Sequence, residues 1–281
     1  MSKLALCILI CLCLGERVRT EDKTLTGDNV EVKVLGKSGK ISLTINPPAE
    51  SENEVSQVTV NWDELKEVDG DGNDVTDKRF NTFANQDFTY SDIENTTYSD
   101  IEAQMISFSA SLAKQQTTLG NLTVVMYIFK EMGTLSLGEE THTVHPGTLK
   151  FNIVIENWTW GADSDAHMLE FVIDIKGKAD DAVKKETETG EPQTFDMGAN
   201  TNLVLSQKVK TSDSGDWTDM PTGYPDYTTK GNKKMFIFRF PKGDKITYDP
   251  SLESAPSSSV AIVGNTLVFL LAMVAAAICS N

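Results

Sequence analysis

Apolar side chains fall at every second position in short runs from residue 30 onward: Val30, Val32, Val34, then Ile41, Leu43, Ile45, then Val58, Val60, Trp62. A period of two sends alternate side chains to opposite faces of an extended chain, so each run predicts a strand with one buried face. Denser apolar runs predict further strands over 105–112, 122–129, 149–155, 168–175, 203–209 and 235–240. Gly36, Lys37, Ser38 and Gly39 separate the first two runs as a hairpin connection. Pro47-Pro48 closes the second, since proline has no N–H to give a ladder. Few segments carry helical spacing. The pattern therefore predicts an all-β fold, an antiparallel β-sandwich-like domain with long polar loops.

The joints between these runs are polar: 50–54, 67–78, 176–198 and 212–234. Residues 179–189 are charged and Thr-rich and fit either a solvated helix or a loose loop. A subdivision near 180–200 is the alternative to one domain with insertions, and the single domain is preferred. One short duplication stands out, Thr-Tyr-Ser-Asp-Ile-Glu at 89–94 and again at 97–102. A single repeat at that spacing is no solenoid; it reads as a tandem expansion within a loop.

The two ends differ from the middle. Lys3 precedes an apolar run over 4–14, then Gly15 and charged residues, which predicts a secretory signal peptide over 1–20. That run is too short for a hydrocarbon core of roughly 30 Å. At the other end, small and polar residues over 251–259 lead into an apolar stretch over 260–281 with no Lys or Arg behind it. This matches the signal for a glycosylphosphatidylinositol (GPI) anchor on Ser254, Ser257 or Ser258. The rival is a single-pass helix, which ordinarily keeps basic residues on its cytoplasmic side. All four cysteines, Cys7, Cys11, Cys13 and Cys279, lie in these ends. The expected extracellular β-rich domain, 21–250, therefore has no disulfide and rests on its hydrophobic core.

Acids outnumber bases 41 to 25, a net charge of −16. Residues 1–20 carry three bases and one acid, so the remainder is more acidic still. Nucleic acid is excluded as a partner because its phosphates would be repelled. Cations, basic partners or plain solubility fit. Asn95, Asn121 and Asn157 each head an Asn-x-Thr acceptor sequence for a glycan.

The sharpest candidate for chemistry is Asp69-Gly70-Asp71-Gly72-Asn73, with Asp77 beyond it. Oxygen-bearing side chains at alternate positions of a glycine-flexed loop suit Ca²⁺, which takes six to eight oxygens. A helix-loop-helix calcium site would also need Gly where Asp74 stands and Glu where Phe80 stands. An acidic turn between two strands fits the same residues. Ca²⁺ is the one cofactor in question. His142 with His145, and Asp163 with Asp165 and His167, are too sparse for zinc, which wants three or four ligands. No Gly-x-Ser-x-Gly elbow or phosphate-cradling loop occurs, Ser212-Asp213-Ser214-Gly215 lacks partners for a serine-hydrolase motif, and no enzyme activity is expected. Trp158 and Trp160 read as core aromatics rather than as a carbohydrate platform.

Residues 58–84, VTVNWDELKEVDGDGNDVTDKRFNTFA, and 149–160, LKFNIVIENWTW, resemble the acidic skeletal organic matrix proteins of stony corals and related cnidarian surface proteins. The resemblance implies a protein lining or occluded in calcium carbonate, its carboxylates facing Ca²⁺ and its partners other matrix proteins. The chain departs from the most acidic of these in having no long Asp runs. An adhesion or receptor module, acidic only for solubility, is the alternative function.

Overall fold

The predicted apolar runs form strands, because each alternation offers one face to a shared interior, except that 203–209 is divided between Thr201–Leu205 and the short strand Lys208–Val209. The computed structural model describes residues 21–254, apart from 28–29, 46–55, 138, 162–166, 178–181, 186–190, 199–200 and 231–232. Two large antiparallel sheets pack face to face. The first runs from Lys23–Gly27 through Val30–Val34, Ile41–Ile45, Ser56–Val68, Met168–Lys176 and Lys233–Pro241 to Asp226–Lys230, with Asp74–Phe80 also paired to Ser56–Val68. The second is centred on Leu149–Glu156, Thr117–Phe129 and Ile101–Lys114, and carries Ser251–Ser254, Thr201–Leu205 and Gln193–Asp196 on its other flank. Strands from before and after residues 180–200 thus share both sheets. Within 179–189 the described residues contribute a short strand, Val183–Lys184, rather than a helix.

Inward side chains of the two sheets meet in one core. Trp62 stacks on Phe171 at 5.8 Å within the first sheet and meets Phe108 of the second at 6.4 Å. Phe238 and Phe240 close on Tyr248 at 4.8 and 5.5 Å. Burying each such side chain is worth about 1.5–3 kcal/mol, enough to hold a sandwich without cystines. The Gly36–Gly39 connection is a hairpin, closed by Leu35 N–H to the Lys40 carbonyl at 2.9 Å. Gly39 takes φ +60, and a Cβ there would sit 2.9 Å from Phe108, so glycine is required twice over.

The duplicated hexapeptide is not in a loop, which corrects the expectation from sequence. Thr89–Tyr90 and Glu94–Tyr98 both pair with Ile101–Lys114, and Ser99-Asp100 is the two-residue turn between them, both residues at positive φ. Tyr90 faces Phe108 in the main core, whereas Tyr98 lies on the opposite face beside Tyr127 and Phe129. Irregular backbone at 91–93 reverses the face between two copies of one sequence. The outer face so reached is covered by a hairpin of Gly133–Leu137 and Glu140–Val144, and Ile101, Ala103, Phe129, Leu135 and Val144 form a small second core beneath it.

Candidate functional site

The acidic turn lies between strands Ser56–Val68 and Asp74–Phe80. Asp69 organises it: one carboxylate oxygen accepts the N–H groups of Asp71 at 2.9 Å and Asn73 at 2.8 Å, and the Asn73 side-chain amide donates to both oxygens at 3.3 and 3.1 Å. These bonds, the Asn73 side chain first, hold the Asp69 carboxyl below its ordinary range. Asn73 therefore turns its nitrogen, not its oxygen, toward Asp69. Asp71 is exposed, and Asp77 stands on the next strand 4.0 Å from Lys78 Nζ. Asp69 and Asn73 come together as a self-contained Asx turn; Asp71 and Asp77 do not join them. Among the described residues no group of three or more His, Asp or Glu side chains is arranged to hold a metal ion.

Asp74, next along, is engaged elsewhere. Lys66 Nζ lies 2.7 Å from it and 3.1 Å from Glu170, while Arg79 bridges Asp74 at 3.2 Å and Glu64 at 3.1 Å. Arg239 completes the array, 2.8 Å from Glu170 and stacked over Tyr224. Three acids and three bases neutralise one another on this outer face of the first sheet, so the net negative charge resides elsewhere.

Asn95 is exposed on Glu94–Tyr98, its oxygen accepting from Lys130 Nζ at 2.6 Å. Asn121 occupies an outward, half-buried position on Thr117–Phe129, and Asn157 is exposed at φ 56 just past Leu149–Glu156. Trp158 is buried and Trp160 packs partly against the core. They lie beyond the strand's end rather than two apart along it. Asp163 and Asp165 fall outside the described residues; His167 pairs with the fully buried Glu67, whose other oxygen accepts the Gly161 N–H at 2.7 Å. Glu67 thus fastens both sides of that segment. Ser254 ends the strand Ser251–Ser254, with Thr201 as its cross-strand neighbour, and Ser257 and Ser258 lie outside the described residues, as does 1–20.

Sequence reasoning missed a buried polar cluster on the outer face of the second sheet, beside the covering hairpin. Lys150 and Asp249 form an ion pair at 3.2 Å with side chains 2% and 1% exposed. Tyr98 donates its hydroxyl to Asp249 at 3.0 Å, and the Lys150 ammonium also stands over the Tyr98 ring. Burial lowers the lysine below its usual range, and desolvation with the nearby Asp249 raises the Tyr98 phenol far above its own. In the pattern Leu149-Lys150-Phe151-Asn152 the lysine occupies an outward position and reads as solvated; Tyr98 and Asp249, both distant in sequence, enclose it. A second buried acid, Glu140, accepts from the Ser206 hydroxyl at 2.7 Å and the Gln207 N–H at 2.9 Å.

Among the other acids, Asp92, Glu94, Asp100, Glu102 and Glu131 are exposed on and beside the strands Glu94–Tyr98 and Ile101–Lys114, whereas Asp174 is buried and Glu253 half-buried. No helix among the described residues is long and apolar enough to cross a membrane. A β-sandwich with an acid excess displayed outward agrees with the comparison with protein families. The model of the acidic skeletal organic matrix proteins matches residues 9–189 and 174–278, and the chain belongs to that family.

Proposed function

We propose that this chain is a GPI-anchored, glycosylated acidic protein of the extracellular skeletal matrix. Its exposed carboxylates meet Ca²⁺ or calcium mineral collectively, and it performs no catalysis. Family membership supports the matrix role. The observation that carries the calcium reading is the group of exposed carboxylates at Asp92, Glu94, Asp100, Glu102 and Glu131, on and beside the strands Glu94–Tyr98 and Ile101–Lys114. Such a group offers several anionic oxygens to cations at once without enclosing one ion. The Asp69 loop takes a lesser part, since its carboxylate is occupied by its own turn. Ser257 and Ser258 suit lipid attachment better than Ser254, whose backbone is built into a strand. Asn95 and Asn157, both exposed, suit a glycan better than the half-buried Asn121.

Two measurements test this reading. Phosphatidylinositol-specific phospholipase C should release the protein from cells; retention on the membrane would remove the lipid anchor. Calorimetric titration with CaCl₂ should show weak, salt-screened binding at about millimolar concentration. Absence of heat together with an unmoved melting temperature would remove the calcium role.

A further inference from the structure

The hairpin of Gly133–Leu137 and Glu140–Val144 covers the outer face of the second sheet, where Leu135 and Val144 pack on Ile101, Ala103 and Phe129. Beside that apolar contact, His142 is directed at the strand Ser251–Ser254. Its Nε2 lies 3.4 Å from the Ser251 hydroxyl and 3.6 Å from a Glu253 carboxylate oxygen, with the two ionisable side chains 16% and 13% exposed. Two residues earlier, Glu140 grips Ser206 and Gln207 from the same hairpin. We propose that this hairpin is a proton-dependent clamp on the strand Ser251–Ser254, closed while the His142–Glu253 pair holds one proton and loosened when that proton leaves.

The surroundings make one proton the favoured occupancy. His142 faces Lys150 and His145, which repel a second positive charge, and burial, the largest influence, lowers its pKa to about 4. Glu253 faces the Asn202 amide and Lys185, whose Nζ donates to Asn202 at 2.7 Å. These favour the anion, but burial outweighs them and raises Glu253 to about 7. The Lys150 charge is itself matched by Asp249, so it does not serve Glu253. A carboxyl raised on folding contributes fully below its ordinary pKa, and that contribution is lost as pH rises through its folded value. For Glu253 the loss runs from the ordinary carboxylate range up to about pH 7, where it is complete. Glu140, also raised by burial, has the same sign. His142, being lowered, has the opposite sign: its contribution is full above its ordinary value and is lost as pH falls to about 4. The two changes offset each other over most of the interval between about 4 and about 7, so the clamp is tightest there and loosens modestly on the alkaline side.

Hydrogen exchange of the full chain, expressed in a secreting animal cell, tests this between about pH 6 and about pH 9. After correction for intrinsic rates, amides of 133–144 and 251–254 should lose about two- to threefold protection at the higher pH relative to strand Thr117–Phe129, the Glu253 loss being partly offset by His142. Glu253→Gln, neutral throughout, should abolish most of that pH dependence. Flat protection in the unsubstituted protein, or an undiminished loss in Glu253→Gln, overturns the proposal. Carbon-13 NMR of glutamate carboxyls in the unsubstituted protein needs no variant. A carboxyl titrating near about 7 that moves in His142→Gln supports the clamp, and no glutamate titrating above about 6 overturns it.

Discussion

Trp62 shows how much one side chain can fix. Its ring is stacked on Phe171 in the core, and its Nε1–H donates to the Gly39 carbonyl at 2.8 Å, tying the hairpin connection to the central strand Ser56–Val68. Trp62→Phe keeps much of the apolar contact but leaves that buried carbonyl without its donor. We expect a loss of about 1–3 kcal/mol by urea unfolding; Trp62→Ala, which also opens a cavity, should cost about 3–5 kcal/mol. Lys150 makes the contrary case, a charge where apolar packing would do. Lys150→Met strands the Asp249 carboxylate in the interior and should cost about 3–5 kcal/mol. Lys150→Met combined with Asp249→Asn removes both charges and should recover much of the loss, which a double-mutant cycle in urea would measure.

At the scale of elements, two turns of similar backbone differ in sequence quality. Ser99-Asp100 and Gln115-Gln116 each place both residues at positive φ between antiparallel strands. Aspartate tolerates that region and glutamine does not, so the second turn holds strain of about 1–2 kcal/mol per residue. Gln115→Asn with Gln116→Gly should therefore raise the melting temperature and add about 1–2 kcal/mol to stability, checked by thermal and urea unfolding. The strands were legible in the sequence because burial of one face forces period-two spacing. The hairpin at Gly36–Gly39 was legible because its glycines punctuate that spacing. The face-reversal between Tyr90 and Tyr98 was not, since identical hexapeptides carry identical local information and only their partners differ. Nor was the Lys150–Asp249 pair, since Asp249 lies in the link between Lys245–Tyr248 and Ser251–Ser254 and meets Lys150 only because both those strands pair with Leu149–Glu156. As for the candidate site, the Asp69 turn was visible as one of two readings of the same residues. The engagement of Asp74 by Lys66 and Arg79 required knowing which strands are neighbours.

At the scale of the whole molecule, strand direction gives the proposed anchor an orientation. Ser251–Ser254 runs antiparallel to Leu149–Glu156, with Leu252 opposite Leu149, so the chain leaves the sandwich at the Leu149 end. Met132, 68% exposed and just beyond Thr117–Phe129, lies at that same end, because Ile128 pairs with Leu149. The opposite end holds Asn157 and Gly161, and Glu67 joins Gly161 to the end of the first sheet that carries the Asp69–Asn73 turn. The eight residues of Leu149–Glu156 separate the two ends by roughly 25 Å at about 3.4 Å per residue. With a lipid attached soon after Ser254, the Asp69–Asn73 turn points away from the membrane, while Asp100, Glu102 and Glu131 lie at the Met132 end nearer to it. Because 21–254 contains no cysteine, a single reactive thiol can be installed at either end. A fluorophore on Met132→Cys should transfer energy to a membrane dye far more efficiently than one on Asp71→Cys. Equal transfer from both positions would mean that the sandwich does not stand upright on its anchor, and the two ends would then be equally available to mineral and to membrane.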